Sequence, residues 1–220
     1  MIKLNSINTR CEMVSILIHG LGQGASSWKE TISYLDENRS VYCVDLYSLV
    51  RTSEIDYRNL YQALVEYCNR FDEPIHICGL SLGGVLALNY AIDYPEKVNT
   101  LTLIGTQFKM PKVLLSIQHA IFYLLPKSTF ENTGLDKRNF LNLSKSLTNL
   151  DFSHQLLEIK CPVMMICGEK DIVNKKASRH LHQHIKGSRL AIIENAGHEV
   201  NLDNPGKLAK VISGFWCTIH

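Results

Sequence analysis

Several features that mark other kinds of protein are missing from this sequence. Its 23 basic and 21 acidic residues leave a net charge of +2 over 220 residues, too little to hold nucleic acid or an anionic membrane surface. No arginine- or lysine-rich patch is interleaved with aromatics, so nucleic acid is not expected as a partner. No uninterrupted apolar run approaches the ~18–20 residues of a membrane-spanning helix. The opening residues Met1-Ile2-Lys3-Leu4-Asn5 lack the apolar core and small-residue cleavage site of a signal peptide, and a cytoplasmic location is expected. The seven cysteines include no C-x-x-C pair, which argues against a zinc ribbon or a thioredoxin-like site. Cys43, Cys78 and Cys167 sit inside apolar runs and read as reduced, buried small hydrophobes, in keeping with a reducing compartment. Gly20, Gly22 and Gly24 do not make G-x-G-x-x-G, and no Gly-Lys-Ser/Thr follows them. A phosphate-cradling loop is therefore not indicated.

What is present is a regular alternation. With 45% hydrophobic residues the chain can bury a sizeable core, and one domain over residues 1–220 is expected. Short apolar runs at Met13–Ile18, Val41–Val44, Ile75–Cys78, Leu101–Ile104, Val163–Cys167 and Leu190–Ile193 are continuous, as in parallel strands covered on both faces. Helical patterns at Ser26–Glu37, Tyr57–Arg70, Leu82–Asp93, Lys175–Ile185 and Pro205–Trp216 lie between them. The expectation is an α/β fold: a three-layer sandwich around a mostly parallel sheet of about six to seven strands. Residues 2–7 would add a short edge strand. From about residue 107 to 151 the alternation stops, and two helices are expected, near Val113–Leu125 and Lys137–Leu147. The first is apolar almost all round, so it is either buried or covers something apolar. Placed between two sheet strands, the pair reads as a small helical lid over the C-terminal sheet edge, where open α/β sheets bind ligands.

Chemistry enters at Gly79-Leu80-Ser81-Leu82-Gly83, which follows the run Ile75–Cys78 and precedes a helical stretch. This is G-x-S-x-G in the strand–turn–helix setting that exposes a nucleophilic hydroxyl. Glycine at 79 and 83 leaves room that a Cβ would take up. A serine at neutral pH needs a base held by a third group. Of the nine histidines, His198 in Asn195-Ala196-Gly197-His198 follows the last strand run and precedes the last helix, where a base belongs. His76 lies within a strand and His119 in the apolar helix. His180, His182 and His184 share one helix, but no Glu or Cys nearby completes a metal site, so no metal is expected. For the acid, Gly168-Glu169-Lys170-Asp171 follows Val163–Cys167. Asp171 is preferred, with Glu169 as the fallback and a helix cap before Asn174 as the alternative role for Asp171. The flexible backbone of His19-Gly20-Leu21-Gly22 follows the first strand, so the N–H of Leu21 and that of Leu82, at a helix N-terminus, are the candidate oxyanion donors. His19 reads as a brace for this loop.

The order Ser81, Asp171, His198, each at a strand end, resembles the α/β-hydrolase fold over nearly the whole chain. Ser26-Ser27-Trp28 and Tyr94-Pro95-Glu96-Lys97-Val98 carry the resemblance further. A serine nucleophile separates the chain from the dehalogenase and epoxide hydrolase branches. It also departs from the pattern: Asp45-Leu46-Tyr47-Ser48-Leu49-Val50-Arg51 lacks the glycine-rich turn that relatives often carry, and too little chain precedes Met13 for the usual opening pair of strands.

The resemblance implies a serine hydrolase of small carboxylic esters, thioesters or lactones, acting without a cofactor through an acyl-enzyme on Ser81. An apolar lid suits a small-molecule acyl substrate with an apolar group. Two alternatives keep the same fold. One is a C–C bond hydrolase or lyase using the same triad, separated by activity on vinylogous diketones. The other is a non-catalytic small-molecule-binding protein, separated by tight binding without turnover.

Overall fold

The computed structural model describes residues 13–37, 39–50, 54–131 and 133–218; the edge strand expected over residues 2–7 lies outside them. Six strands, β1 (Ser15–Ile18), β2 (Val41–Val44), β3 (Ile75–Leu80), β4 (Val98–Ile104), β5 (Val163–Gly168) and β6 (Arg189–Ile193), form one sheet in the order β2-β1-β3-β4-β5-β6. Every pairing is parallel. The helices, in chain order, are α1 (Lys29–Ser33), α2 (Leu46–Leu49), α3 (Tyr57–Cys68), α4 (Leu82–Asp93), α5 (Lys112–Leu124), α6 (Lys137–Ser146), α7 (Ile172–His184), α8 (Val200–Asp203) and α9 (Pro205–Trp216).

The central strands are rich in apolar residues and almost wholly buried because both faces are covered, although Ser15, His76, Thr100 and Thr102 are buried among them. Along β1, Ile16 and Ile18 join one core with Leu60 and Leu64 of α3 and Val85, Leu86 and Leu88 of α4. Leu17 between them joins the other core, with Trp28, Ile212, Phe215 and Trp216. Successive side chains of a strand point to opposite faces, so one apolar tetrapeptide serves both layers. A fully buried side chain such as Leu17 contributes on the order of 2 kcal/mol. Inside this core His76 is a structural residue: its ring stacks on Trp216 with centroids 5.4 Å apart, and Nδ1 lies 2.7 Å from Thr100 Oγ1. Burial pushes its pKa down to about 4. The six described cysteines are all free, and burial pushes the thiols of Cys43, Cys68, Cys161 and Cys167 up to about 12.

Two local expectations change. Gly79 and Leu80, expected in a turn, continue β3 up to Ser81, because the peptide at Gly79 pairs with β4 beside Leu103. Behind β2, where no glycine-rich turn occurs, the chain folds into the single turn of α2, whose Tyr47 hydroxyl accepts the N–H of Gly22 at 3.1 Å.

The chain passes from β1 to β2 on one side and then to β3 on the other. The switch point between β1 and β3 opens a crevice at their C-terminal ends, where such sheets bind ligands. Between β4 and β5 runs the segment that carries α5 and α6. It leaves and returns through a short antiparallel neck: Lys109 bridges Asp151, Met110 N–H donates to the Leu150 carbonyl at 3.0 Å, and Phe152 N–H to that of Phe108 at 2.8 Å. Phe122 of α5 meets Phe130 and Phe140, with Phe122 and Phe140 perpendicular at 5.0 Å. Lys137 caps the end of α5 by donating to the carbonyls of Tyr123 and Leu125, each at 2.6 Å.

Candidate active site

Ser81 occupies the corner between β3 and α4. Its backbone has φ 52° and ψ −111°, a left-handed conformation that costs a non-glycine residue about 1–3 kcal/mol. The corner is held from both sides: Ser81 N–H donates to the Ile104 carbonyl at 2.8 Å, and the Ser81 carbonyl accepts from Val85 N–H at 3.0 Å. The close approach of strand to helix explains the flanking glycines. A Cβ on Gly79 would lie 2.2 Å from the Gly83 carbonyl carbon, and one on Gly83 would lie 2.4 Å from the Ile18 carbonyl oxygen. Leu82 opens α4, so its N–H precedes the helix's own hydrogen-bonding ladder and lies at the positive end of its dipole.

The residues expected to cooperate from distant parts of the sequence converge here. His198 Nδ1 lies 2.7 Å from Asp171 Oδ2; the Asp171 side chain is 8% exposed and that of His198 is 41% exposed. Glu169, the other acid considered, accepts the backbone N–H of Asn195 at 3.0 Å instead. Asp171 also caps α7, its Oδ1 accepting from Asn174 N–H at 3.1 Å, so the contact with His198 and the helix cap coexist on one carboxylate. Burial on its own would raise the Asp171 pKa, but hydrogen bonds from His198 and Asn174 outweigh it and hold the carboxyl below the usual carboxylate value. Ser81, Leu82, Leu21, Asp171 and His198 line one cavity of about 450 Å³. Among the described residues no hydrogen bond joins Ser81 to His198; such contacts commonly tighten only with substrate in place. The cavity's other walls are mostly apolar, Gln107 and Asn174 excepted, and come largely from the β4–β5 segment, with Leu115, Phe122, Phe140 and Leu147.

Five polar residues not proposed as site residues from the sequence, Gln23, Gln107, Asn174, Glu199 and Asn201, brace this site. The Asn174 amide donates to Asp171 Oδ1 at 3.0 Å and Oδ2 at 2.8 Å, and its own oxygen accepts from Gln107 Nε2 at 2.7 Å. Gln23 donates to Glu199 Oε1 at 2.8 Å, and its oxygen accepts from Asn201 at 3.3 Å, tying the loop after β1 to the loop that carries His198. In sequence these are ordinary loop and first-turn polar residues, and no spacing marks them. His19 is fully buried. Its Nδ1 is 2.9 Å from the Gly20 carbonyl, and Nε2 accepts from Leu46 N–H at 3.1 Å. That pair of contacts fixes a neutral ring, and burial lowers its pKa. It braces the loop and does not line the cavity. His180 and His184 lie ring to ring at 4.3 Å, but no group of three or more potential metal ligands occurs among the described residues.

A parallel sheet with a strained serine on a strand-to-helix corner, sharing a cavity with a carboxylate-bound histidine from the loop after β6, defines the α/β-hydrolase architecture. A family model for the alpha/beta hydrolase family matches residues 16–211, and the chain belongs to that family. Among curated relatives, monoacylglycerol lipase ABHD6 of Mus musculus is 22% identical over 93% of this chain and 76% of its own length. A putative carbamate hydrolase, RutD of Escherichia coli, is 25% identical over 94% of this chain and 92% of its own. An esterase from Thermogutta terrifontis superposes with a TM-score of 0.80 at 17% identity, covering 94% of this chain and 90% of that one. That likeness concerns the fold. No helix among the described residues is long and apolar enough to cross a membrane.

Proposed function

We propose that the protein is a serine hydrolase of small carboxylic esters, thioesters or lactones. The observation that carries this reading is the 2.7 Å contact between His198 Nδ1 and Asp171 Oδ2 on the wall of the same cavity as Ser81. With Nδ1 engaged by the carboxylate, His198 presents Nε2 as the base. Ser81 Oγ gives its proton to Nε2 and attacks the carbonyl carbon, forming a tetrahedral oxyanion that accepts hydrogen bonds from the N–H groups of Leu21 and Leu82. Collapse expels the alcohol or thiol, which takes the proton from His198 and leaves an acyl ester on Ser81. Water then repeats the sequence, with its proton passing to His198, and releases the acid. Asp171 stays ionised throughout and stabilises the imidazolium in each half-reaction. The insertion between β4 and β5 acts as a lid, and its side of the cavity receives the apolar acyl group. The relatives named as lipase, carbamate hydrolase and esterase support acyl-transfer chemistry of this kind.

The test is turnover of p-nitrophenyl butyrate together with labelling by a fluorophosphonate. Ser81→Ala is expected to lose both, with activity down by at least ~10³-fold. Turnover by Ser81→Ala equal to that of the parent protein would refute the assignment.

A further inference from the structure

Beside the cavity at Ser81 lies a larger one of about 1010 Å³, and Gln107, Met110, Pro111 and Val173 belong to the walls of both. The two differ in charge. Apart from Asp171 and His198, the wall at Ser81 has no charged residue. The larger chamber is lined by four basic side chains, Lys109, Lys112, Lys176 and Arg179, and by one acid, Asp151. That acid is occupied by Lys109, whose Nζ lies 2.9 Å from it. Lys112, Lys176 and Arg179 thus stand around the chamber with no carboxylate among its lining residues to answer them. In a protein of net charge +2 this is a local concentration of positive charge. Phe108, Leu150 and Ala177 supply an apolar floor, so the chamber suits a negative group on an apolar stem and not a free, fully hydrated ion.

We propose that this chamber holds an anionic group on the leaving-group side of the substrate, a carboxylate or a phosphate, while the apolar acyl group lies in the cavity at Ser81. The protein's preferred substrates are then acyl esters or thioesters of an organic acid. This rests on the hydrolase reading for the position of the scissile carbonyl. The two cavities adjoin at their four shared lining residues, and the proposed substrate extends from one into the other past these side chains. Three cations grouped at a partly enclosed site favour an anion over a neutral isostere by roughly tenfold in kcat/KM, an effect that salt weakens.

Three butanoyl esters test the proposal: 4-(butanoyloxy)benzoate, 4-(butanoyloxy)phenyl phosphate and methyl 4-(butanoyloxy)benzoate. Each rate is divided by the ester's hydroxide-catalysed rate to remove leaving-group reactivity. At least one anionic ester is expected to exceed the neutral one by about tenfold, and which one does so separates carboxylate from phosphate. The ratio should fall several-fold in 0.5 M NaCl and approach one in the double variant Lys176→Gln/Arg179→Gln. A ratio near one in the parent, or a ratio the double variant leaves unchanged, overturns the proposal. If none of the three esters is hydrolysed, the hydrolase reading fails by itself. The chamber is then judged by titrating 4-hydroxybenzoate and phenyl phosphate into the parent and the double variant. Weaker binding to the variant supports the site, while equal binding or no saturable binding removes it.

Discussion

The corner at Ser81 and the insertion between β4 and β5 face each other across one cavity, yet they are built on opposite principles. At the corner almost every constraint comes from backbone: a strained serine, two glycines in near contact, and hydrogen bonds from Ser81 to β4 and into α4. Beyond its backbone-paired neck the insertion is held by side chains, a cluster of three phenylalanines and one lysine cap, and it exposes Ile117, Ile121 and Leu124. Backbone geometry tolerates almost no substitution, whereas side-chain packing can be rewritten one residue at a time. The contrast implies that Ser81 and its neighbours are fixed by the sheet, while the shape of the opposite cavity wall is left to a part that can vary.

The hardest blow to this contrast falls on the rigid side. Gly79→Ala puts a methyl group into the backbone of α4 and is expected to cost about 3 kcal/mol or more in urea denaturation. A loss under 1 kcal/mol would mean that the corner can relax. Asp171→Asn should leave α7 capped but reduce kcat/KM by on the order of 10³-fold or more. It also carries a pH signature. The folded Asp171 carboxyl titrates below its ordinary value of 3.8, so its contribution to stability is complete above the unfolded pKa and is lost as pH falls through the folded one. The stability gap between parent and Asp171→Asn should therefore shrink as pH falls below about 4; a gap that stays undiminished on that acidification would contradict the stated sign.

Asn174→Ala removes the amide that holds both Asp171 oxygens. Asn174 acts as a positioning residue, so kcat should fall by roughly tenfold with KM nearly unchanged. An effect confined to thermal stability would leave it a mere helix-end residue. The smallest change is expected on the adaptable side: Leu124, 82% exposed, should accept serine within about 0.5 kcal/mol. A larger loss would show that α5 is packed more firmly than its exposure suggests.

Where the sequence is informative, it is so because burial on both faces demands continuous apolar runs. All six strand runs correspond to observed strands, and the boundaries of α4 and α9 coincide with their patterns because Asp93-Tyr94-Pro95 and Asn204-Pro205 punctuate them. The candidate site was readable because Ser81, Asp171 and His198 each lie in the short loop or corner that follows such a run. Three kinds of feature were not. Gly79 looks like a turn residue, since only the close approach of Gly83 explains a glycine inside a strand. The single turn of α2 replaces an expected loop, because four residues are too few for periodicity to show. Gln23, Asn174 and Asn201 act through partners brought near only by the fold.

The neck formed by Lys109 and Asp151 has an evolutionary consequence. Because the two ends of the insertion are pinned side by side, the sheet sees the same short junction whatever hangs beyond it. Lengthening a side branch closed in this way is cheap, about 0.6 kcal/mol for each doubling of a loop. Helices can be added, removed or exchanged there while the surroundings of Ser81 stay as they are. Substrate preference and chemical machinery can then change on separate evolutionary clocks, joined only at that junction.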